Sequence, residues 1–448
     1  MNVEINKPKE VIANRDKEAL VEYYEQLNPF EIAQFISELE TDDLYFAFEC
    51  IDNEQIRDVF KHLENEIQQN IIEYLELDRH RLAKLLNELK PDDRTALLED
   101  MPEHISRRMI QLLKPEERRI AVKLLGYPEE SIGRLMTSEY VAVQPHYTMP
   151  EVIQHIRNFG HDSETLNVLY VVDEKLRLVD DLRIKEIILA SPEKTVADLM
   201  DDSFVSLNAA DDQETAVKVF LDQDRVALPV VDADGVMLGI VTVDDVMDVA
   251  QEESTEDFHR FGAIREAISN PLTASVGALY KNRIVWLFAL VFMNVFSGYA
   301  MQQFEATIQS MVALVFFLPL LIDSGGNAGA QSATLMVRAL ATGEVALKDW
   351  GKLVGKEVFI ALLLGTTMAA AVSVVAGIRA PEIVVVVALS MVCIVLVGSV
   401  FGLLLPFIFT RLKLDPAAAS APLITSVSDI TGVIIYFSIA TWYLSDTI

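Results

Sequence analysis

Residues 383–409 read IVVVVALSMVCIVLVGSVFGLLLPFIF, a run without a charged side chain. A bilayer core about 30 Å thick is crossed by about 20 apolar residues in a helix, so this run is long enough to span it. Working outward, four further apolar segments share the C-terminal part: 284–301, 308–322 with a continuation to 340, 353–378 and 417–444. Soluble core helices explain one such run but hardly five. The second segment is interrupted by Asp323-Ser324-Gly325-Gly326-Asn327 and the fifth by Asp429. At Gly325-Gly326 the reading is a break in the helix. Irregular backbone at that depth is tolerated only inside protein or beside a water-filled cavity. Small residues are also what close helix packing requires.

The formal net charge of −30 is unevenly spread. From Lys281 onward nine Lys/Arg balance nine Asp/Glu, so the whole excess lies before the membrane segments. A soluble region that acidic repels nucleic acid and attracts cations. Cys50 and Cys393 fall in different regions, which predicts no disulfide and suits a reducing cytosol. The charged N-terminus, Met1 to Asp16, has no apolar signal segment. The histidines lack zinc-ligand spacing, and no nucleophile elbow, Walker loop or dinucleotide fingerprint is present, so an enzyme is not expected. Orientation follows from the loops. Lys281, Arg283, Arg338, Lys348, Lys352, Lys356, Arg411 and Lys413 fall on one side and Arg379 on the other. The positive-inside rule then puts the acidic region in the cytosol and, after an odd number of spans, the C-terminus outside.

Residues 1–130 predict an all-α solenoid of short helices. Leu89-Lys90-Pro91-Asp92-Asp93 repeats as Leu113-Lys114-Pro115-Glu116-Glu117, each leading into an apolar helical stripe. Pro followed by acids is suited to a first helical turn. A second repeat covers 131–250. Leu135–Val143 aligns with Leu199–Leu207, then each copy predicts an amphipathic helix and an apolar strand ending at Asp173 or Asp232. A strand–helix–strand–strand–helix unit used twice (131–196 and 197–250) resembles a tandem pair of CBS domains, α/β regulatory modules that pack through their sheets. In the second copy Gly239, Thr242 and Asp245 resemble that family's ribose and phosphate contacts. The first copy has Asp180, Arg183 and Glu186 there instead. The resemblance implies one candidate site for ATP or another adenine nucleotide; turn chemistry accounts for a Gly and an N-cap Thr as well. Residues 251–281 are expected to be a connecting helix and 282–448 a membrane domain of five helices.

Asp429 stands near the middle of the last span, where a charge costs about 3 kcal/mol by insertion scales. No Lys or Arg lies at that depth, so its expected partner is a cation; the alternative is a protonated or helix-bonded packing role. Thr425, Ser426 and Ser428 add hydroxyls and Gly432 permits close helix approach. Oxygen-only surroundings favour a hard cation such as Mg²⁺, held through its waters. Asn327 and Gln331, one helical turn apart, are candidates to line or support a pore together with Gly325 and Gly326.

The stretch Pro319–Val345, with Gly-Gly-Asn-Ala-Gly-Ala-Gln-Ser at 325–332 and Arg338-Ala339-Leu340-Ala341-Thr342-Gly343, resembles the magnesium transporter family MgtE. So do Leu414-Asp415-Pro416-Ala417 and Ser428-Asp429-Ile430-Thr431-Gly432, and the order of domains along nearly the whole chain. The resemblance implies a homodimeric Mg²⁺ channel of a prokaryotic cytoplasmic (inner) membrane, with Asp429 as the pore aspartate and the connecting segment as a plug. It also implies that cytosolic Mg²⁺ closes the channel through Asp212, Glu214, Asp224, Asp245, Asp248, Glu253, Glu256, Asp257 and Asp415. The alternative for each is a solvated surface charge. A non-conducting, membrane-anchored sensor of Mg²⁺ or nucleotide is the rival function.

Overall fold

The computed structural model describes residues 11–52, 55–265, 271 and 274–444. Parts of the N-terminal stretch and of the expected connecting helix, and the last four residues, thus lie outside the described residues. The chain divides into two compact units, Met1–Val249 and Ala250–Ile448.

The first unit begins with short helices whose apolar stripes share one core, from Ile12 and Leu20 to Leu113 and Ala121. Proline opens the helices Pro91–Asp100 and Pro115–Leu124, each with two acids in its first turn, as the repeat predicts. The repeat has a physical clasp. The fully buried Arg94 donates back to the carbonyls of Leu86 and Leu89. Twenty-four residues on (118 against 94), Arg118 donates to the carbonyls of Ile110, Gln111 and Leu113. In each case a guanidinium satisfies carbonyls left open at the preceding helix end.

Two three-stranded sheets follow, β1 (Ala142–Val143), β2 (Val168–Val172) and β3 (Leu178–Arg183), then β4 (Leu207–Asn208), β5 (Ala227–Val231) and β6 (Met237–Thr242). In each sheet the first strand pairs parallel to the second and the second antiparallel to the third, so the duplication is exact in topology. Val168, Tyr170 and Val172 pack with Ala227, Met237 and Ile240, which joins the two copies through their sheets. The copies also exchange backbone bonds: Thr137 and Ile240 each donate to the other's carbonyl at 2.9 Å.

Among the described residues of the second unit, five helices are long and apolar enough to cross a membrane: Val276–Gln302, Ala313–Ala341, Leu347–Arg379, Pro381–Arg411 and Ala421–Leu444. The expected break at Gly325-Gly326 is absent. The second span is one α-helix from Ala313 to Ala341, and the fifth runs unbroken past Asp429. The glycines serve close approach instead. A Cβ on Gly398 would stand 2.4 Å from the Gly325 carbonyl oxygen, and one on Gly402 would stand 2.0 Å from that of Gly329. Spans two and four therefore meet backbone to backbone along paired Gly-x-x-x-Gly rows, a packing that supplies dispersion contacts where lipid offers no hydrophobic drive. Gly402→Leu is expected to destabilise the membrane domain by more than about 3 kcal/mol, since backbone must move. Thermal unfolding of the purified protein in detergent checks this; an unchanged midpoint would contradict the packing described.

Candidate functional site

The second and fifth spans run antiparallel. Gly326 lies against Thr425, Gly432 against Ile322, and the Tyr436 hydroxyl donates to the Leu314 carbonyl at 3.0 Å. That register sets Asp323 level with Asp429. Asp323, Asn327 and Gln331 follow one another at four-residue spacing and are all exposed, forming a polar stripe along a helix of membrane-crossing length. Asp429 is half-buried. The Thr425 hydroxyl donates to the Pro422 carbonyl at 3.0 Å, and the buried Ser428 hydroxyl has no partner among the described residues. Sequence reasoning treated Asp323 only as an interruption of the span. Its spacing from Asn327 and Gln331 was the available signal, once a continuous helix is assumed.

At the start of the membrane unit, the helix Val243–Phe261 ends where Ala263 adopts positive φ, its N–H donating to the Arg260 carbonyl at 2.9 Å. Phe261 packs with Ala333, Leu405, Ala419 and Ile424. Arg260 pairs with both Glu256 and Asp415, and Asp415 also accepts from the Ala417 N–H at 2.7 Å, before the fifth span. Two of the carboxylates expected to take Mg²⁺ thus share a guanidinium. Glu253 and Asp257 stand on the same helix.

The first unit gathers a second group of acids. Asp245, in the first turn of the helix Val243–Phe261, accepts a hydrogen bond from the Thr242 hydroxyl. Burial, followed by the charges of Asp244, Asp93 and Glu164, pushes its carboxyl from an ordinary 3.8 up to about 6, against the Thr242 bond. Asp92, 8 % exposed, is pushed well up by burial and then by Asp245. Burial likewise raises Asp93, Asp248 and Glu139. Lys61 tempers Asp93 and Asp248, and Lys90 makes an ion pair with Glu164 at 2.6 Å. The helical repeats thus contribute Asp92 and Asp93 to a cluster whose other half is Asp245 and Asp248. Sequence reasoning misses Asp92 and Asp93 because positions 245 and 248 lie 153 and 155 residues further along the chain and acids in a first helical turn are ordinary. Asp212, Glu214 and Asp224 are engaged locally. Asp212 caps the helix Gln213–Gln223, Glu214 pairs with Lys218 at 3.1 Å, and Asp224 ends that helix at positive φ.

Among the described residues no three His, Cys, Asp or Glu side chains converge tightly enough to enclose a bare metal ion. The donors gathered there are carboxylate oxygens, the type that hard cations take. In the second CBS-like copy, a Cβ on Gly239 would stand 2.5 Å from the Thr137 carbonyl oxygen, so the inter-copy bridge alone requires glycine there. In the first copy the equivalent Asp180 is fully buried and accepts from the N–H groups of Asp201 and Asp202.

The raised carboxyls carry a pH consequence. Where the folded pKa exceeds the unfolded one, the folded form binds more protons, so stability falls as pH rises between the two values. For Asp245 that window is 3.8 to about 6 and is worth about 3 kcal/mol in full. His62, pushed down chiefly by burial, works oppositely near neutrality. With a chelator present, the soluble unit is expected to melt higher at pH 5.5 than at pH 7.5. A flat or rising profile would contradict the cluster's electrostatics.

These features define a five-span helical membrane protein bearing a duplicated α/β module and an acidic helical region. Three family models match the chain: a divalent cation transporter domain, MgtE, over 318–439, the MgtE intracellular N domain over 27–130, and a CBS domain over 196–252. The chain is 37% identical to a magnesium transporter MgtE of Thermus thermophilus over 96% of both chains. It is 33% identical to one of Bacillus subtilis, covering 94% of this chain and 93% of that protein. A crystal structure of the cytosolic domain of the Mg²⁺ channel MgtE in complex with ATP is 36% identical with a TM-score of 0.51, covering 54% of this chain and 98% of that one. The soluble part of a magnesium transporter is 28% identical with a TM-score of 0.50, covering 55% and 96%. The chain belongs to the MgtE family.

Proposed function

We propose that the chain is a Mg²⁺-selective channel of a prokaryotic cytoplasmic membrane, with its C-terminus outside, and that cytosolic Mg²⁺ favours closure. The observation that carries this reading is the polar stripe Asp323–Asn327–Gln331 level with Asp429 on two packed spans. Such a face is too costly to turn to lipid, so it lines water or meets a second copy. A homodimer satisfies both, because two copies of Asp429 across an axis hold a divalent ion that one cannot neutralise. Two such carboxylates about 8 Å apart, the spacing that an ion held through its waters requires, repel by about 2 kcal/mol at an effective dielectric of 20, and a hydrated Mg²⁺ between them removes that repulsion. Inward flow needs no enzyme chemistry, since a membrane potential of 100 mV contributes about 5 kcal/mol to a divalent ion.

The acidic cluster supplies the regulation. Asp92 is buried, Asp93 and Asp245 are half-buried and all three are raised by loss of water, with the exposed Asp248 one helical turn beyond Asp245. A divalent cation therefore stabilises the arrangement that brings them together over any that separates them. Glu253, Glu256, Asp257 and Asp415 form the corresponding group at the membrane unit, where Arg260 already bridges two of them. The relative solved with ATP supports an adenine nucleotide in the cytosolic region, for which Gly239, Thr242 and Asp245 are the candidate contacts. The rival, a non-conducting sensor, has no use for the polar stripe. Mg²⁺ uptake into liposomes bearing the purified protein separates the two. Uptake at low Mg²⁺ on the cytosolic face, suppressed when that Mg²⁺ is raised, is expected; no uptake under either condition would favour the sensor.

A further inference from the structure

Asp323 takes no part in the close packing of the spans: Gly325 and Gly326 beside it are buried, yet its own side chain is exposed. Ile322 meets Gly432 and Gly326 meets Thr425, so Asp323 and Asp429 both fall between those two contacts and stand at one depth. Neither span carries a basic side chain near that depth. In the second span the nearest is Arg338, 15 residues on (338 against 323), about 22 Å along the helix. The fifth span, Ala421–Leu444, has no Lys, Arg or His. A third group lies in the same interval. Ser428 is 3% exposed, and its hydroxyl has no partner among the described residues. Nearby hydroxyls differ: those of Ser324, Thr425 and Thr431 donate to carbonyls of their own helices at 2.6, 3.0 and 2.9 Å. A buried hydroxyl without a partner costs free energy that a ligand, or a ligand's water, recovers.

We infer that Asp323 is a specificity-determining residue of the ion path, a second carboxylate facing the passing cation beside Asp429. The inference rests on the pore reading above and adds to it what favours divalent over monovalent ions. Two copies of Asp429 balance one divalent ion; with Asp323, four carboxylates stand at that depth. Attraction scales with the product of the charges, so each added carboxylate attracts Mg²⁺ twice as strongly as Na⁺ or K⁺. An exposed carboxylate reaches the hydrated ion without stripping it, which suits an ion that sheds water reluctantly. The Ser428 hydroxyl offers that hydration shell a further hydrogen bond. Asn327 and Gln331, one and two turns along the same face, continue the path with neutral polar groups. Asp429 is half-buried and Asp323 exposed, so Asp323 holds the ion less closely. Its loss lowers affinity and discrimination but spares maximal flow.

The test is Mg²⁺ uptake into liposomes bearing the purified full chain, measured against external Mg²⁺. It is run once with about 150 mM K⁺ and once with an impermeant organic cation in its place. In Asp323→Asn the half-saturating Mg²⁺ concentration is expected to rise about tenfold, with the maximal rate within about twofold of the unaltered protein. K⁺ should raise it further in that variant and scarcely in the unaltered protein. Asp323→Glu, which keeps the charge, should hold both measures within about threefold of the unaltered protein. A purely structural role responds to shape, so equal shifts in the Asn and Glu variants would overturn the inference. An unchanged curve for Asp323→Asn beside a lost one for Asp429→Ala would also overturn it, while keeping the pore. Should Asp323→Asn not fold, Asp323→Ser must show the same shift. No uptake by the unaltered protein under either condition would overturn the pore reading and this inference with it.

Discussion

Replacing Asp429 by Ala is expected to reduce Mg²⁺ uptake into liposomes by at least about tenfold, to near the level of protein-free vesicles. Removing the carboxylate takes away the one ionisable group near the middle of the fifth span and leaves a hydrated divalent ion facing low dielectric. A tenfold loss corresponds to about 1.4 kcal/mol, well within what a single charge contributes in such surroundings. Asp429→Asn separates charge from shape: it keeps the side chain's size and one carbonyl oxygen, so it should fall nearly as far if charge decides. Asp323→Asn, on the facing helix, should weaken uptake less, because its carboxyl is exposed where that of Asp429 is half-buried. Uptake and Mg²⁺ selectivity preserved in Asp429→Ala would remove this residue from the ion path.

The second large effect concerns regulation. In a variant carrying Asp92→Ala, Asp93→Ala, Asp245→Ala and Asp248→Ala, uptake is expected to lose its dependence on cytosolic Mg²⁺ and to continue at concentrations that close the unaltered channel. Asp92 repels Asp245 and Asp93, Asp93 acts on Asp245, and Asp248 follows Asp245 on the same helix, so together the four are expected to define the difference in cation affinity between compact and separated arrangements. Without a differential affinity Mg²⁺ shifts nothing, however much is present. Single changes should each move the half-closing concentration by only a few-fold, since coupling between sites is typically 1–3 kcal/mol in total. Flux measured against internal Mg²⁺ reads this directly. A closing curve unchanged in the fourfold variant would locate regulation elsewhere, with Glu256, Asp257 and Asp415 the next groups to alter.

Much of the architecture was legible along the chain because the signals are local. Five long apolar runs mark five spans, since hydropathy acts over one segment at a time. The repeat around Pro91 and Pro115 reports helix starts, and the duplicated strand pattern reports two matching sheets. Asp429 stood out because an ionisable group at that depth is costly whatever surrounds it.

Other features rest on contacts that no local pattern encodes. Gly325-Gly326 reads as a break when taken alone, yet the helix continues because Gly398 and Gly402 of another span need the space their missing side chains leave. Asp92 looks like an ordinary first-turn acid until the fold buries it beside Asp245. Arg260 and Asp415 are 155 positions apart and meet only because the connecting helix ends against the inner ends of the spans. Which segments enter the membrane, which are duplicated and where charge accumulates can be read along the chain, because burial cost and periodicity are properties of a segment. Which carboxylates share a site, and whether a glycine bends a helix or lets another approach, was decided only by the tertiary structure, because electrostatic and packing energies depend on the distance between groups rather than on their place along the chain.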